Sequence, residues 1–298
     1  MEYWRRILRK ISSVENFDIS SHTTYGTGGK CKIAYFPKDE EEAMEVFRIL
    51  SSANVKFFVL GNGSNVLVSD DYYDGAVICT ENLNKITKVG ENKILCQSGV
   101  KVSKFLEFCV ENGLSGMEFL VGIPATMGGV AYMNAGAGGK YISDTLLNCR
   151  VFDGNLHIFS NKICKFGYKY STMRDIKCLI LDCTFKLSRA EPSLIKENLS
   201  KFIEMRRNLP KGKTCGCVFK NPSGGNAGRL IEECGLKGYR LGGAVVSDYH
   251  ANFIVNCGSS ANEIYSLIKY VKDVVFKKTG VLLCEEVVYI GDFNDTDC

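Results

Sequence analysis

The sequence has no Cys-x-x-Cys pair, no block of Lys and Arg, no apolar run long enough to cross a membrane, and only three histidines. Each absence removes a class of function. Cys215-Gly-Cys217 is the nearest approach to a paired-cysteine motif, so zinc and iron–sulfur centres are not expected. His22, His157 and His250 stand far apart without metal-ligand spacing, and each reads as a hydrogen-bonded structural residue; no metal is expected. A net charge of +4 with no basic cluster argues against a nucleic-acid partner, although a few local cations suffice for an anionic small molecule. No segment reaches roughly 18 consecutive apolar residues, and the N-terminus lacks the apolar run of a signal peptide. Fourteen cysteines are present, most of them single within apolar segments, as Cys79, Cys96, Cys109, Cys178 and Cys183 are. There a thiol behaves as a small hydrophobe. The expectation is a reduced, cytoplasmic protein with no membrane insertion, and 298 residues leave room for two or three compact units.

What is present is glycine in apolar company. Leu120 to Gly139 holds six glycines among Ile, Met, Val and Ala, with almost no charge. Main chain that is both bare and apolar suits close approach to a large, flat, partly polar ligand, because no Cβ shields its N–H groups. A tightly packed turn between strands is the plainer alternative. A second stretch, Gly61-Asn-Gly-Ser-Asn65, follows the apolar strand Phe57-Phe-Val-Leu60 and can cradle a diphosphate on backbone donors. Its own alternative is a tight hairpin turn. It is no Walker loop, since no Gly-Lys-Ser/Thr follows, and no Rossmann fingerprint, since no helix begins there.

The remaining chain reads as mixed helix and strand. A polar, glycine-rich loop spans 16–29, a helix covers 39–52 with Ala43, Val46, Phe47 and Leu50 on one face, and a second helix covers 102–112. Strands are expected at 148–153, 157–160 and 179–187, and helices at 193–208 and 227–234. Ser260 and Glu263 form a capping box at the head of the clearest helix, with Ile264, Leu267, Ile268, Val271, Val274 and Val275 at helical spacing. A closing strand is expected over 281–290, where alternation puts Glu286 on the face opposite Glu285 and Val287. Domain limits are expected at 1–83, 84–190 and 191–298.

Taken together, the two glycine loops, Cys217-Val-Phe-Lys-Asn-Pro222, His250-Ala-Asn-Phe-Ile-Val-Asn256 and the terminal Glu286 resemble one enzyme family. It is UDP-N-acetylmuramate dehydrogenase, also called UDP-N-acetylenolpyruvoylglucosamine reductase, of bacterial peptidoglycan synthesis. The likeness runs from about Asn16 to Gly291. It implies an α+β protein: a vanillyl-alcohol-oxidase-type, two-subdomain FAD-binding fold over 1–83 and 84–190, then a C-terminal α+β substrate-binding domain. It further implies non-covalent FAD, NADPH as co-substrate, and UDP-N-acetylglucosamine enolpyruvate as the small-molecule substrate, handled by a monomer. Another FAD oxidoreductase of the same fold, or a non-catalytic nucleotide-binding relative, is the alternative.

The same likeness assigns residues. Gly61, Asn62, Gly63, Ser64 and Asn65 match the diphosphate loop; Gly122, Ile123, Pro124, Thr126, Gly128, Gly129 and Asn134 match the flavin-embracing loop, with Ala125 where glycine is usual. Hydride arrival at C3 of the enolpyruvyl ether leaves charge at C2 and on the carboxylate, so a cation and a proton donor are required. Glu286 matches the family's catalytic glutamate. Cys217 stands where a proton-donating serine is common, and Lys169 stands where arginine is usual, so the charge is kept and the bidentate fork is lost. Lys220, Asn221 and His250 map to the substrate pocket, with Arg206 and Arg207 near its basic end.

Overall fold

A computed structural model of the chain describes residues 3–293 and groups them in a way the linear order conceals. One unit takes the residues up to Glu15, Ile33–Asn62 and Gly75–Arg207; the other takes Asn16–Lys32, Gly63–Asp74 and the chain from Asn208 onward. The limits at 83/84 and 190/191 both fall within the first unit, and the outermost ends of the expected division, 1 and 298, lie outside the described residues.

In the first unit, Asp39 accepts a hydrogen bond from Glu42 N at 2.9 Å and opens the helix Glu40–Ser52, with three glutamates in its first turn. Its face of Ala43, Val46, Phe47 and Leu50 is buried, and Phe47 meets Phe57 and Phe152 edge-on at 5.1 and 5.5 Å. That helix links the strands Lys30–Tyr35 and Phe57–Leu60 of a four-stranded sheet, in which Phe57–Leu60 runs parallel to Tyr73–Cys79. A five-stranded antiparallel sheet follows, in the order Leu156–Ser160, Leu146–Phe152, Leu179–Lys186, Lys93–Gln97, Ile86–Lys88. Helices Val102–Glu111 and Met127–Tyr132 contribute to its core. The cysteines here are not scattered singly in space. Cys149, Cys183 and Cys96 stand opposite one another on three adjacent strands, all buried, with the first two sulfurs 3.2 Å apart.

The helix Pro192–Met205 packs on this first unit, near Glu118–Leu120 and Val102–Glu111. A charged triad is also built in: Arg150 bonds Glu40 at 2.5 Å and Asp182 more closely still, and Gln97 donates to Glu40 at 2.9 Å. Burial raises the Asp182 carboxyl above its ordinary value, while Arg150 pulls it back.

The second unit is built round the helix Ala261–Thr279. Its capping box is complete, and Ile264, Leu267, Ile268, Val271 and Val275 are buried. Beside it lie the three-stranded sheet Arg240–Leu241, Ala244–Val246, Ile254–Asn256 and the helix Ala227–Glu233. Val66–Val68 pairs in parallel with Val288–Ile290. The polar N-terminal loop also belongs here: Tyr25 is fully buried, and Asn256 Nδ2 donates to its carbonyl at 2.8 Å. The closing strand is shorter than alternation predicts, because 281–287 follow an irregular path with a single bridge between Glu285 and Phe219. Glu286 and Val287 are consequently both buried, and Glu285 instead pairs with Lys272 at 2.9 Å.

Candidate active site

Each unit holds one group of the expected site residues. In the first, the glycine-rich stretch is zipped onto the segment 98–102. Val102 N donates to Ala125 O at 3.0 Å, Met127 N to Val100 O at 2.8 Å, and Gly128 N to Ser98 O at 2.8 Å. Gly128 must lack a side chain, since a Cβ there would stand 2.6 Å from Ser98 Cβ. Thr126 is buried below, and Met127–Tyr132 forms a short helix within a stretch the sequence presents as loop. Above that floor, Gly122, Pro124 and Gly129 are exposed. Asn62 Nδ2 donates to Pro124 O at 2.7 Å, and Gly61 lies so close to Thr126 that a Cβ would stand 2.5 Å from its hydroxyl. The loop after Phe57–Leu60 is therefore no hairpin turn. Its flanking strands, Phe57–Leu60 and Val66–Val68, belong to different sheets.

Asn134, buried, donates from Nδ2 to Gly167 O at 2.8 Å and accepts from Ser143 N at 3.2 Å. Ser171 Oγ donates to Tyr132 O at 2.7 Å. These bonds dock the 167–171 loop, and with it Lys169, on the glycine-rich stretch. Lys169 is half-buried with φ +55°, and its carbonyl accepts from Arg174. Arg174, a guanidinium four residues on from that carbonyl's neighbour Tyr170 and in contact with Tyr132, was not singled out by the sequence. The two arginines at 206 and 207 part company. Arg206 is half-buried, its Nη2 3.4 Å from Phe119 O and its side chain against Gly122; Arg207 is exposed and pairs with Glu204 at 3.2 Å.

In the second unit, Gly63 has φ +60° and lies against the His22 carbonyl, while Ser64 and Asn65 are half-buried. Asn65 Nδ2 donates to Glu286 O at 3.0 Å. The segment 217–220 runs between two neighbours. Cys217 bridges to Phe253 on one side and Phe219 bridges to Glu285 on the other. Glu286 N donates to Val218 O at 2.7 Å, Val218 N donates to Asn252 O at 2.8 Å, and Lys220 N donates to Cys284 O at 2.8 Å. Glu286, 7% exposed, is thus tied to Val218, the chain neighbour of half-buried Cys217.

Behind them, burial pushes the Cys215 thiol up to about 12, with Glu286 and Cys217 adding to the rise and Tyr25 opposing it. Cys215 therefore stays protonated as a packing residue. Lys220 is half-buried, and exposed Asn221 accepts from Ala227 N at 3.0 Å. His250 Nδ1 accepts from Asn252 N at 3.2 Å, so the neutral ring carries its proton on Nε2. Burial lowers the His250 pKa below its ordinary value. Among the described residues, no cluster of three His, Cys, Asp or Glu is placed to hold a metal ion.

Known proteins share this architecture. A family model described as FAD binding domain matches residues 31–159, and one described as UDP-N-acetylenolpyruvoylglucosamine reductase, C-terminal domain, matches residues 208–290. The UDP-N-acetylenolpyruvoylglucosamine reductase of Caldicellulosiruptor saccharolyticus is 38% identical over 291 residues, covering 95% of this chain and 94% of that protein. The protein of the same description from Borreliella burgdorferi is 37% identical, covering 95% and 97%. The crystal structure of UDP-N-acetylenolpyruvylglucosamine reductase from Thermus caldophilus is similar with a TM-score of 0.81 and 31% identity, over 94% of this chain and 99% of that one. The fold is α+β, that of the T. caldophilus reductase, with an FAD binding domain ahead of the C-terminal domain.

The first unit's loops fit FAD. Exposed main chain at Gly61, Gly122 and Gly129 lies over an apolar floor, and the N–H groups of Asn62 and Gly129 have no acceptor among the described residues. Such bare donors suit phosphate oxygens and ring edges. The chain belongs to the UDP-N-acetylenolpyruvoylglucosamine reductase family and is an oxidoreductase of that kind.

Proposed function

We propose that this chain reduces UDP-N-acetylglucosamine enolpyruvate to UDP-N-acetylmuramate at the expense of NADPH, as a cytoplasmic, monomeric enzyme of peptidoglycan precursor synthesis. The observation that carries the reading is Glu286 bonded through its N–H to Val218, the residue next to Cys217, in a chain of this family. Non-covalent FAD, when bound, would supply the hydride chemistry that couples NADPH to the enolpyruvyl ether. Gly61, Asn62, Gly63, Ser64 and Asn65 hold its diphosphate, and Gly122, Ile123, Pro124, Thr126, Gly128, Gly129 and Asn134 embrace the rest. The three-part division at 83/84 and 190/191 describes two flavin-binding subdomains and a substrate domain.

The protein's own residues complete the addition. Cys217 holds the proton that goes to C2, and only its thiol form can donate. Lys169 faces the charge that grows on C2 and the carboxylate, as a point charge rather than a fork. Glu286 stands beside the proton donor. Lys220, Asn221 and His250 bind the sugar nucleotide, with Arg206 and Arg207 toward its anionic groups. One hydride and one proton are added across the double bond.

The test is direct. The purified protein is yellow, acid precipitation releases free FAD, and NADPH bleaches the colour. Addition of UDP-N-acetylglucosamine enolpyruvate then restores it without oxygen. A colourless protein that cannot be reconstituted with FAD, or a bleached one that this sugar leaves bleached, rejects the proposal.

A further inference from the structure

One buried polar side chain near the proposed proton donor has no assigned role. Asn252 is 3% exposed, between Ala251 and Phe253, which are buried as well. It lies at a turn closed by the bond from Phe253 N to His250 O at 3.0 Å. On this side strand pairing therefore stops at the bridge between Phe253 and Cys217, and only on its other side does Phe219 meet main chain, at Glu285. The Asn252 amide fills that gap. Oδ1 accepts from Phe219 N at 2.9 Å, and Nδ2 donates to Phe219 O at 2.8 Å. Its own carbonyl takes Val218 N at 2.8 Å, and its own N–H goes to His250 Nδ1 at 3.2 Å. One residue thus satisfies both polar groups of Phe219 and the N–H of Val218.

The chemistry allows little substitution. A carboxamide presents one donor and one acceptor side by side, the pairing that a strand neighbour would supply. A carboxylate presents two acceptors and would set one of them against Phe219 O. An apolar side chain would leave two buried main-chain groups unpaired, which is costly.

We propose that Asn252 is a positioning residue for proton delivery: by standing in for strand main chain on the side of Phe219 away from Glu285, it fixes the 217–220 segment that carries Cys217 and Lys220. Through Val218 the same clamp sets Glu286, whose N–H donates to Val218 O at 2.7 Å. The proposal rests on the reading of Cys217 as the proton donor. Its structural half, that Asn252 holds Cys217 in place, is separately measurable.

The deciding variant is Asn252→Asp in the FAD-loaded enzyme. While its carboxyl is protonated, the new side chain donates to Phe219 O and accepts from Phe219 N, as the amide does. Once ionised it cannot donate, and the clamp opens. The carboxyl is buried and faces a carbonyl, so its pKa is raised and the clamp is present at low pH and lost as pH rises. Other titratable groups surround it. His250 shares its turn, with Lys237 and Glu232 acting on that ring; Cys217 and Lys220 lie on the held segment; Cys284, Glu285 and Glu286 lie across it. All are common to parent and variant, so the ratio of the two rates at each pH removes their contribution.

Three rates are followed from pH 6 to 8: flavin reduction by NADPH, flavin reoxidation by UDP-N-acetylglucosamine enolpyruvate, and alkylation of Cys217 by iodoacetamide, read by peptide mass spectrometry. In Asn252→Asp at pH 8, reoxidation is about tenfold or more slower than the parent, the usual scale for one lost buried hydrogen bond with its partner left unpaired. The ratio closes toward one at pH 6. Cys217 alkylation shifts from the parent at pH 8 and returns over the same range, and reduction by NADPH stays within about twofold, since Asn252 has no part in that step. Asn252→Ser, small enough to admit water to Phe219, slows reoxidation at every pH with no recovery in acid. It also serves where the Asp variant is too unstable at pH 8. A reoxidation ratio that ignores pH, a serine variant at the parent rate, or Cys217 alkylation unchanged in both variants overturns the proposal. If the parent itself is not reoxidised by this sugar, the substrate assignment fails, and the alkylation arm alone decides whether Asn252 sets Cys217.

Discussion

Cys217 and Cys215 show how two thiols one residue apart acquire different chemistry. Cys215 is in the core of its unit, and burial holds its proton tightly; Cys217 is half-buried on the segment that also meets Glu286. Cys217→Ala is expected to leave flavin reduction by NADPH nearly intact and to slow reoxidation by the enolpyruvyl sugar about a hundredfold, the scale of a lost general acid. Cys217→Ser restores much of that step and abolishes inactivation by alkylators, because a hydroxyl keeps the proton but not the nucleophile. An alanine variant that reoxidises at the parent rate removes Cys217 from the mechanism. A second expectation at this scale concerns stability. Burial lowers the folded-state pKa of His250, so the unfolded chain binds the proton more readily. The contribution of His250 to stability is therefore complete above about pH 6.5, its unfolded value, and is lost as pH falls through the lower folded value. Thermal melts of the parent and His250→Gln at pH 7.5 and 5.0 check the sign. The parent loses more on acidification than the variant, and an equal loss in both refutes it.

At the scale of elements, local chemistry was readable and non-local pairing was not. Asp39 at the head of Glu40–Ser52 and Ser260 with Glu263 at the head of Ala261–Thr279 cap as their sequences require, because a cap needs only residues within one turn. The closing segment misleads for the opposite reason. Alternation assumes a regular strand, yet only Val288–Ile290 forms one and 281–287 meets 218–220 through a single bridge, so Glu286 and Val287 are buried side by side. Glycines differ in the same way, since what a Cβ would meet depends on distant chain. At Gly63 it would stand 2.1 Å from His22 O and 2.7 Å from Thr23 Cα, with φ +60°; at Gly139, with φ +78°, nothing lies within 4 Å. Gly139→Ala bears only the left-handed conformation, about 1–2 kcal/mol. Gly63→Ala adds a main-chain clash, about 1–3 kcal/mol more, and displaces the loop proposed to hold the diphosphate. Denaturant melts and FAD titration separate them: Gly139→Ala keeps parental FAD affinity, and Gly63→Ala loses both stability and affinity. Equal behaviour of the two variants would mean that the His22–Thr23 main chain yields.

At the scale of the whole chain, the division into two units was the least legible feature. Composition changes little across 15/16 or 62/63, and what assigns 16–32 and 63–74 to the second unit is contact with residues some 200 positions away. The family model for the C-terminal domain spans 208–290, a continuous stretch that omits both inserts. Its core does not. Tyr25 and Leu67 are fully buried in the same cluster as Val218, Ile264 and Leu283. Val66–Val68 is the pairing partner of Val288–Ile290, Asn256 Nδ2 donates to Tyr25 O, and Ala261 N donates to Asp70. Removing the inserts exposes or empties the space of two large side chains, at about 2–5 kcal/mol each. It also leaves main-chain and amide groups unpaired, at about 1–3 kcal/mol apiece where they stay buried. The sum reaches or exceeds the roughly 5–15 kcal/mol by which a domain is stable at all. The fragment 208–298 expressed alone is therefore expected to lack a cooperative thermal transition and dispersed amide resonances. Adding a separately made 1–207 chain should restore both, because it returns Tyr25, Leu67 and the 66–68 strand. A fragment that melts cooperatively alone would show that the second unit's stability lies in Ala261–Thr279 and its three-stranded sheet, and that the two inserts only decorate it.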